Sequence, residues 1–549
     1  MQQPGAVDET AHNLTDYVRR AARAGADRPA LVWRDEIVTW GQLDARVDAV
    51  AGGLASLAGA AVTAPGTGAH PARVAIALPN TPDFAVAFFA TLRAGLAAVP
   101  VNPEYTAREL RHVLADSAAT ALVCTEQVGE AIGEIRGELP ALSSVHVDLS
   151  DLDGPPAAGG AGGDDLAVLL YTSGTEGSPK GAMLSHRALI ANHVQVARVP
   201  SVVGPDDVLL LAVPLFHAYG LNSGLGAVAF HGARGVLVER FEPASTLEII
   251  ARCGVTAVVG VPSMYVGWAA SPDLGGAFRS VRLAVCGAAP LGPATAARFS
   301  EATGGQVFVG YGLTETAPVL TSTLLSAVPA GELASAPPGP VLTRGTSGPK
   351  TGSIGKPIPG VELRLVAADG SDIWRDGTVD PDTEDELLVE LESPGTDPGE
   401  IVVRGANLFS GYWPDGRDGP GAEGWWATGD VAYADADGDL FLVDRLGELI
   451  LVSGFNVYPH EVELVIQACP GVVEAAVLGA PHPQTGQTVK AYVVREPDSD
   501  LTVAELRRHC ERNLARFKCP TEVEFVSSLP HSPTGKVRKT LLRSEAIHD

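Results

Sequence analysis

Residues 171–181 read Tyr-Thr-Ser-Gly-Thr-Glu-Gly-Ser-Pro-Lys-Gly. Glycines let backbone amides approach an anion closely, and hydroxyls with a closing lysine add donors, so this composition suits a cradle for phosphates. The apolar run Leu166 to Leu170 leads into it as a buried strand, and a second strand-like run, Gly181-Ala182-Met183-Leu184, follows. Pro179 before Lys180, and a strand rather than a helix after it, set the segment apart from the common nucleotide loop GxxxxGK[ST].

Five further segments combine glycine turns with polar side chains that could act on a ligand. Val309-Gly310-Tyr311-Gly312-Leu313-Thr314-Glu315 is expected to be a strand from Gln306 that enters a Gly-Tyr-Gly turn, then a hydroxyl and a carboxylate. Gly424-Trp425-Trp426-Ala427-Thr428-Gly429-Asp430 ends on a carboxylate, which can accept two hydrogen bonds from a vicinal diol. Asp444-Arg445 runs on through Ser453-Gly454-Phe455-Asn456-Val457-Tyr458-Pro459-His460-Glu461-Val462-Glu463. Leu529-Pro530-His531-Ser532-Pro533-Thr534-Gly535-Lys536-Val537-Arg538 offers a lysine near the C-terminus, and Val213-Pro214-Leu215-Phe216-His217-Ala218-Tyr219-Gly220-Leu221 a histidine. Taken singly, each also reads as an ordinary turn, a solvated lysine or a structural histidine.

The elements that must hold these groups are those of a large α/β protein. The chain has 549 residues, 46% hydrophobic and 19% charged, so it is globular and too long for one ordinary domain. Short apolar runs alternate with amphipathic stretches: Arg73 to Leu78, Phe84 to Leu96, Ala98 to Val101. That order predicts mainly parallel sheets covered by helices. The most apolar window, about residues 82–102, is broken by Asp83, Arg93 and Pro100 and reads as a buried helix then strand, since a membrane span needs about 20 uninterrupted apolar residues. After the polar break Asp444 to Glu448 comes a compact set of strands and helices, including a helix from Pro459 to Ala468 with proline at its start. The boundary is expected at 445–447, giving domains 1–445 and 446–549. The net charge of −26 disfavours nucleic acid and anionic membranes. Six cysteines without CxxC spacing suit a cytosolic protein, and no secretory signal is expected.

Together these segments resemble the adenylate-forming superfamily of acyl-CoA synthetases, aryl-CoA ligases, adenylation domains and beetle luciferase. The likeness covers nearly the whole chain, with the motifs in family order. It implies a fold with a large N-terminal domain of parallel sheets and a smaller β-barrel-like part, plus a small mobile α+β C-terminal domain. It implies ATP, Mg²⁺ and CoA as cofactors and an acid–thiol ligase reaction through acyl-AMP. Thr172, Ser173, Gly174, Thr175, Gly177 and Lys180 would hold the β- and γ-phosphates. Gly310, Tyr311 and Gly312 would flank the adenine, Thr314 would reach the α-phosphate, and Glu315 with Thr172 would hold Mg²⁺. Asp430 would take the ribose hydroxyls and Arg445 the ribose and phosphate. Lys536 would bridge the substrate carboxylate and α-phosphate, His217 would orient the carboxylate, and Gly454 would leave the pantetheine tunnel open.

Two departures stand out. Gly447 occupies the hinge position, where Asp or Lys is more usual, and Glu176 stands where Thr is commoner. A desolvated, unpaired carboxylate beside a triphosphate is costly, so Glu176 is expected to point outward or pair with a base. No Asp stands beside Phe216, where amino-acid-activating relatives often keep one. The guessed pocket walls (Val261, Gly287 to Pro290, Ala317 to Leu320, Leu221) are apolar. They argue for a carboxylic acid with an uncharged hydrocarbon or aryl body, without fixing chain length, and a medium- or long-chain fatty acid is the expected substrate. The alternatives are an aryl acid of the cinnamate or benzoate type, an acyl-AMP ligase loading an acyl carrier protein, a luciferase-like oxidase, and a nucleotide-binding pseudoenzyme. A homodimer stays open.

Overall fold

The computed structural model describes residues 11–542 except 59–69, 156–159, 173–178, 200–202, 328–348, 377–394, 446–447, 449, 453–454, 483–485, 498, 533–535 and 540. Ser173, Gly174, Thr175, Glu176, Gly177, Gly447 and Gly454 therefore lie outside the described residues, as does the side chain of Arg445.

Helix starts follow local chemistry. Thr81 caps the helix Pro82–Arg93 and accepts from Phe84 N, with proline in its first turn. Thr106 and Glu109 form a capping box on Ala107–Ser117, as Thr502 and Glu505 do on Val503–Asn513. The helix Pro82–Arg93 is buried along almost its whole length, and Ala97–Pro100 follows as a strand, as the apolar window implied. Arg93 is tolerated inside because its guanidinium lies 2.7 Å from Asp44 and 3.0 Å from Asp48.

One six-stranded sheet runs in the order Ser144–His146, Ala121–Cys124, Arg73–Ala77, Ala97–Pro100, Leu166–Thr172, Lys180–Ser185. Its strands are parallel except for the final antiparallel hairpin. A second sheet has fourteen strands. Its parallel part includes Val208–Leu211, Ala257–Gly260, Leu283–Cys286 and Phe308–Gly312. Beyond Phe308–Gly312 the pairing turns antiparallel and continues through Val319–Ser322, Ser353–Pro357, Leu440–Arg445, Trp426–Ala434 and Gly399–Gly405. The expected smaller β part is thus the antiparallel wing of this sheet.

One expectation needs correction. The Gly310-Tyr311-Gly312 segment is not a turn after a strand ending at Val309. It is the end of the strand Phe308–Gly312, with a register shift between Tyr311 and Gly312 against Val319–Ser322. A Cβ on Gly312 would sit 1.7 Å from the Pro318 carbonyl oxygen, so the two backbones can meet this closely only at glycine.

The small C-terminal sheet packs Ile450–Val452, Gly486–Arg495 and Val472–His482 against the helices Pro459–Gln467 and Val503–Asn513. It has its own core around Ile450, Val462, Ile466, Val477, Val493 and Leu506. Each such side chain contributes about 1.5–3 kcal/mol when fully buried, and a separate core is what lets a unit hold its shape by itself. The large sheet's strand ends at Arg445 and the small domain's first strand begins at Ile450.

Candidate active site

A cleft of about 2250 Å³ opens at the carboxyl ends of the parallel strands, where open α/β sheets place their ligands. Thr172, Lys180, His217, Gly310, Tyr311, Gly312, Thr314, Glu315, Asp430 and Lys536 all line it. The structure therefore brings together residues that lie up to several hundred positions apart.

The hairpin is built as the sequence implied. Leu166–Thr172 and Lys180–Ser185 pair with Thr172 opposite Lys180. Tyr171 donates to Asp116 Oδ2 at 2.6 Å, and Pro179 O lies 3.2 Å from His112 Nε2, which ties the hairpin to the helix Ala107–Ser117. Along its other side, Trp413 N donates to Gly181 O and Met183 N to Gly411 O. Lys180 Nζ lies 3.7 Å from Asp418 and over the Tyr412 ring at 5.2 Å, with half its side chain exposed. Such a pair is weak and easily exchanged for a phosphate.

Two tyrosine–carboxylate pairs organise the middle of the cleft. Tyr311 donates to Asp430 Oδ2 at 2.7 Å, and Tyr412 donates to Glu315 Oε1 at 2.7 Å. Asp430 is 2% exposed and Glu315 7%. Thr314 and Glu315 share one short turn, Thr314–Thr316, pinned by Asn407 Nδ2 on Thr316 O and by Phe409 N on Glu315 O. Asp430 pairs in register with Arg445 on the neighbouring strand, so the two predicted ribose contacts start from adjacent backbone positions. An ionised carboxylate offers about four lone-pair sites, so Asp430 can accept from a diol while Tyr311 holds it.

Among the described residues no cluster of three His, Cys, Asp or Glu could cage a metal. The donors at hand, the Glu315 carboxylate and the Thr172 hydroxyl, fit a hard cation that draws most of its ligands from phosphate oxygens and water.

His217 borders the other half of the cleft. Its Nε2 is buried and has no hydrogen-bond partner among the described residues. Burial, and then the positive charge of Lys536, push its pKa down to about 4, so it is neutral near pH 7. It precedes the π-helical stretch Tyr219–Gly226, a local widening often found at functional sites. Gly287 makes room for Tyr219: a Cβ there would lie 2.8 Å from its ring. The guessed walls are half right. Gly287, Ala288, Ala289, Pro290, Pro318 and Val319 line the cleft. Val261, Ala317, Leu320 and Leu221 are instead claimed by the packing of the two cores behind it, and on the strand Val319–Ser322 the alternation that turns Val319 to the cleft turns Leu320 away. Their place is taken by Val196, Val199, Val203 and Ala227, with Asn222, Ser223 and His231 among them.

Lys536 comes from the small domain. Ser532 N donates to Lys536 O at 2.8 Å and Lys536 N to Ser532 Oγ at 3.1 Å. The side chain is exposed and lines the same cleft as His217 and the hairpin. Sequence reasoning did not single out Tyr412 and Asp116 as site-shaping residues. Nothing local marks either of them.

The chain matches known proteins along nearly its whole length. Residues 18–413 match the family described as AMP-binding enzyme, and residues 461–536 match the AMP-binding enzyme C-terminal domain. The chain is 32% identical to a long-chain-fatty-acid–CoA ligase of Yersinia pestis, covering 99% of this chain and 96% of that one. It is 36% identical to a feruloyl-CoA synthase of Amycolatopsis sp, covering 96% and 98%. Among solved structures, ATP-bound MatB from Rhodopseudomonas palustris superposes with a TM-score of 0.81 at 30% identity, covering 97% and 99%. An anthranilate CoA ligase in complex with anthranoyl-AMP gives 0.80 at 26% identity, covering 97% of each chain.

Proposed function

This chain belongs to the AMP-binding enzyme family and is an AMP-forming acid–CoA ligase; from that premise we propose that it activates a medium- or long-chain fatty acid and that the cleft residues divide the work as follows. The acid's carboxylate attacks the α-phosphorus of ATP, expelling pyrophosphate and leaving acyl-AMP. The CoA thiolate then attacks the acyl carbon, and AMP leaves. Thr172, Ser173, Thr175 and Lys180 hold the β- and γ-phosphates. Tyr311 flanks the adenine and orients Asp430, which accepts from the ribose hydroxyls with Arg445 beside it. Neutral His217 offers a hydrogen bond to the substrate carboxylate without competing with Lys536 for its charge. Lys536 lies against the oxygens where negative charge gathers during adenylation, a task suited to a point charge on a flexible stem. Glu315 and Thr172 would hold Mg²⁺, which supplies charge neutralisation on the phosphates. The small domain, with its boundary at 445/446, then turns about Gly447, withdrawing Lys536 and bringing Gly454 to the tunnel.

The observation that carries this reading is the shared cleft: Lys180, Glu315, Asp430, His217 and Lys536 line one cavity fed by two domains. The apolar walls beyond His217 support an uncharged acyl body: Val196, Val199, Val203 and Ala227 line the cleft beside the π-helical stretch Tyr219–Gly226. A second reading, an aryl acid bearing a ring hydroxyl, is favoured by one orphaned atom. Tyr219 Oη is buried without a partner among the described residues, and its side chain lines the cleft. The likeness to feruloyl-CoA synthase points the same way. A cytoplasmic location is supported by six free cysteines. Among the described residues no helix is long and apolar enough to cross a membrane.

Pyrophosphate exchange with short, medium and long fatty acids, benzoate and hydroxycinnamates tests the reading, with CoA added in a second series. The expected result is exchange strongest with medium or long chains and thioester formation with CoA alone. Exchange confined to aryl acids selects the second reading. Exchange without thioester would assign the acyl group to a carrier protein, and no exchange with any acid would make the protein a nucleotide-binding pseudoenzyme.

A further inference from the structure

The small domain contains a partly buried ionic cluster that the reaction itself does not use. Lys539 Nζ lies 2.8 Å from Glu448 Oε2 and 2.8 Å from Glu463 Oε1. The three side chains are 16%, 27% and 12% exposed, respectively. Glu463 Oε1 also accepts from Val477 N at 2.8 Å, and Glu463 Oε2 lies 3.7 Å from His460 Nδ1. The cluster joins three separate pieces of chain. Glu448 follows the hinge glycine, Glu463 sits on the helix Pro459–Gln467, and Lys539 is three residues past Lys536.

A salt bridge in such a place is weak evidence for stability, because desolvating the charges offsets their attraction and an apolar set would pack as well. What it does supply is a fixed relative position. Three residues of extended chain span at most about 10 Å, so anchoring Lys539 limits where Lys536 can go. The segment between is already tied: Arg538 N donates to Pro530 O at 2.7 Å, and Ser532 N to Lys536 O at 2.8 Å. The other limb is held as well, with His531 Nε2 2.7 Å from Glu474 Oε1 on the strand Val472–His482. Burial alone would lower the Lys539 pKa, but the two carboxylates more than reverse this and keep the ammonium charged.

We propose that Lys539 is a positioning residue for adenylation: by bridging Glu448 and Glu463 it locks the Lys536 segment to the start of the small domain, so that a swivel at Gly447 carries Lys536 in and out as one body. This rests on the two-state ligase reading above. It gives Glu448, Glu463 and Lys539 a role in one half-reaction and not the other.

The test compares wild type with Lys539→Met, Lys539→Arg and the charge-balanced double variant Lys539→Met/Glu463→Gln. Lys539→Met should lower pyrophosphate exchange by about 10²-fold, the scale of a 1 Å misplacement, while thioester formation from supplied acyl-AMP and CoA stays within about threefold. The double variant should show the same split, because it restores charge balance but not the tether. Lys539→Arg should recover most of the exchange activity. Hydrogen exchange provides a readout independent of catalysis: amides of residues 529, 531, 532 and 536–538 should exchange faster in Lys539→Met while the helix Val503–Asn513 is unchanged. Equal loss in both half-reactions would overturn the proposal, as would undiminished adenylation in Lys539→Met. Unaltered exchange of the segment would overturn it even if wild type activated no acid, an outcome that by itself refutes only the ligase reading.

Discussion

Lowering the pH from 7.5 to 5 should destabilise the large domain before it titrates the active site. His186 and His193 are 0% and 5% exposed. Burial pushes His186 from 6.5 down to about 4, and burial with the neighbouring His231 pushes His193 to about 3. His186 Nδ1 accepts from Leu14 N at 3.3 Å, a bond that requires that nitrogen unprotonated, and His193 stacks on Phe230. The sign follows from proton uptake. The folded pKa values lie below the unfolded ones, so from pH 6.5 downward the unfolded chain binds protons that the folded chain refuses. Stability is complete above pH 6.5 and drains as the pH falls toward 4. Each histidine removes about 1.4 kcal/mol per pH unit, so the pair removes about 4 kcal/mol between pH 6.5 and 5, a large share of the 5–15 kcal/mol typical of a domain. His231, pushed down to about 4, adds in the same sense. All seven tryptophans precede residue 427, so urea titrations followed by tryptophan fluorescence report on the large domain alone. His193→Gln should reduce the loss between pH 6.5 and 5 by that histidine's share, about 2 kcal/mol. Equal stability at pH 7.5 and 5, or an undiminished pH slope in His193→Gln, would refute the reasoning.

Three further outcomes follow from the same geometry. Tyr311→Phe removes a hydrogen bond to a buried carboxylate, which is worth about 1.5–3 kcal/mol, so KM for ATP should rise about tenfold or more in the exchange assay; a change under twofold would mean Tyr311 does not orient Asp430. Gly312→Ala places a Cβ 1.7 Å from Pro318 O and should destabilise the large domain by about 3 kcal/mol, read as a lowered Tm, whereas a wild-type Tm would contradict the close approach. Gly447→Pro should spare pyrophosphate exchange and block thioester formation, and a parallel fall of both would remove the hinge from Gly447.

Much of the fold could be read locally because strand and helix signals are local. The hairpin Leu166–Thr172 and Lys180–Ser185, the helix Pro82–Arg93 and the helix Pro459–Gln467 each carry their own apolar period, cap or proline. What failed was whatever depended on partners distant in sequence. Gly310-Tyr311-Gly312 looks like a turn because glycine usually marks one, and only the pairing with Val319–Ser322 makes it a strand. Leu221 and Val261 look like pocket walls by hydrophobicity, yet which way they face is set by the packing of two cores. The pairs Tyr412–Glu315 and Tyr311–Asp430 join residues 97 and 119 positions apart and have no signature in either segment alone. The cluster of Glu448, Glu463 and Lys539 was invisible for the same reason.

The claim on which the whole mechanism stands is that the ammonium of Lys536 serves the first half-reaction and is absent from the second. Lys536→Ala, assayed in each half separately, examines it directly. Pyrophosphate exchange should fall by about 10²–10³-fold, the loss expected for one charge-stabilising donor, while acyl-AMP supplied with CoA is converted at near wild-type rate. An equal loss in both assays, or exchange that survives the substitution, would contradict it.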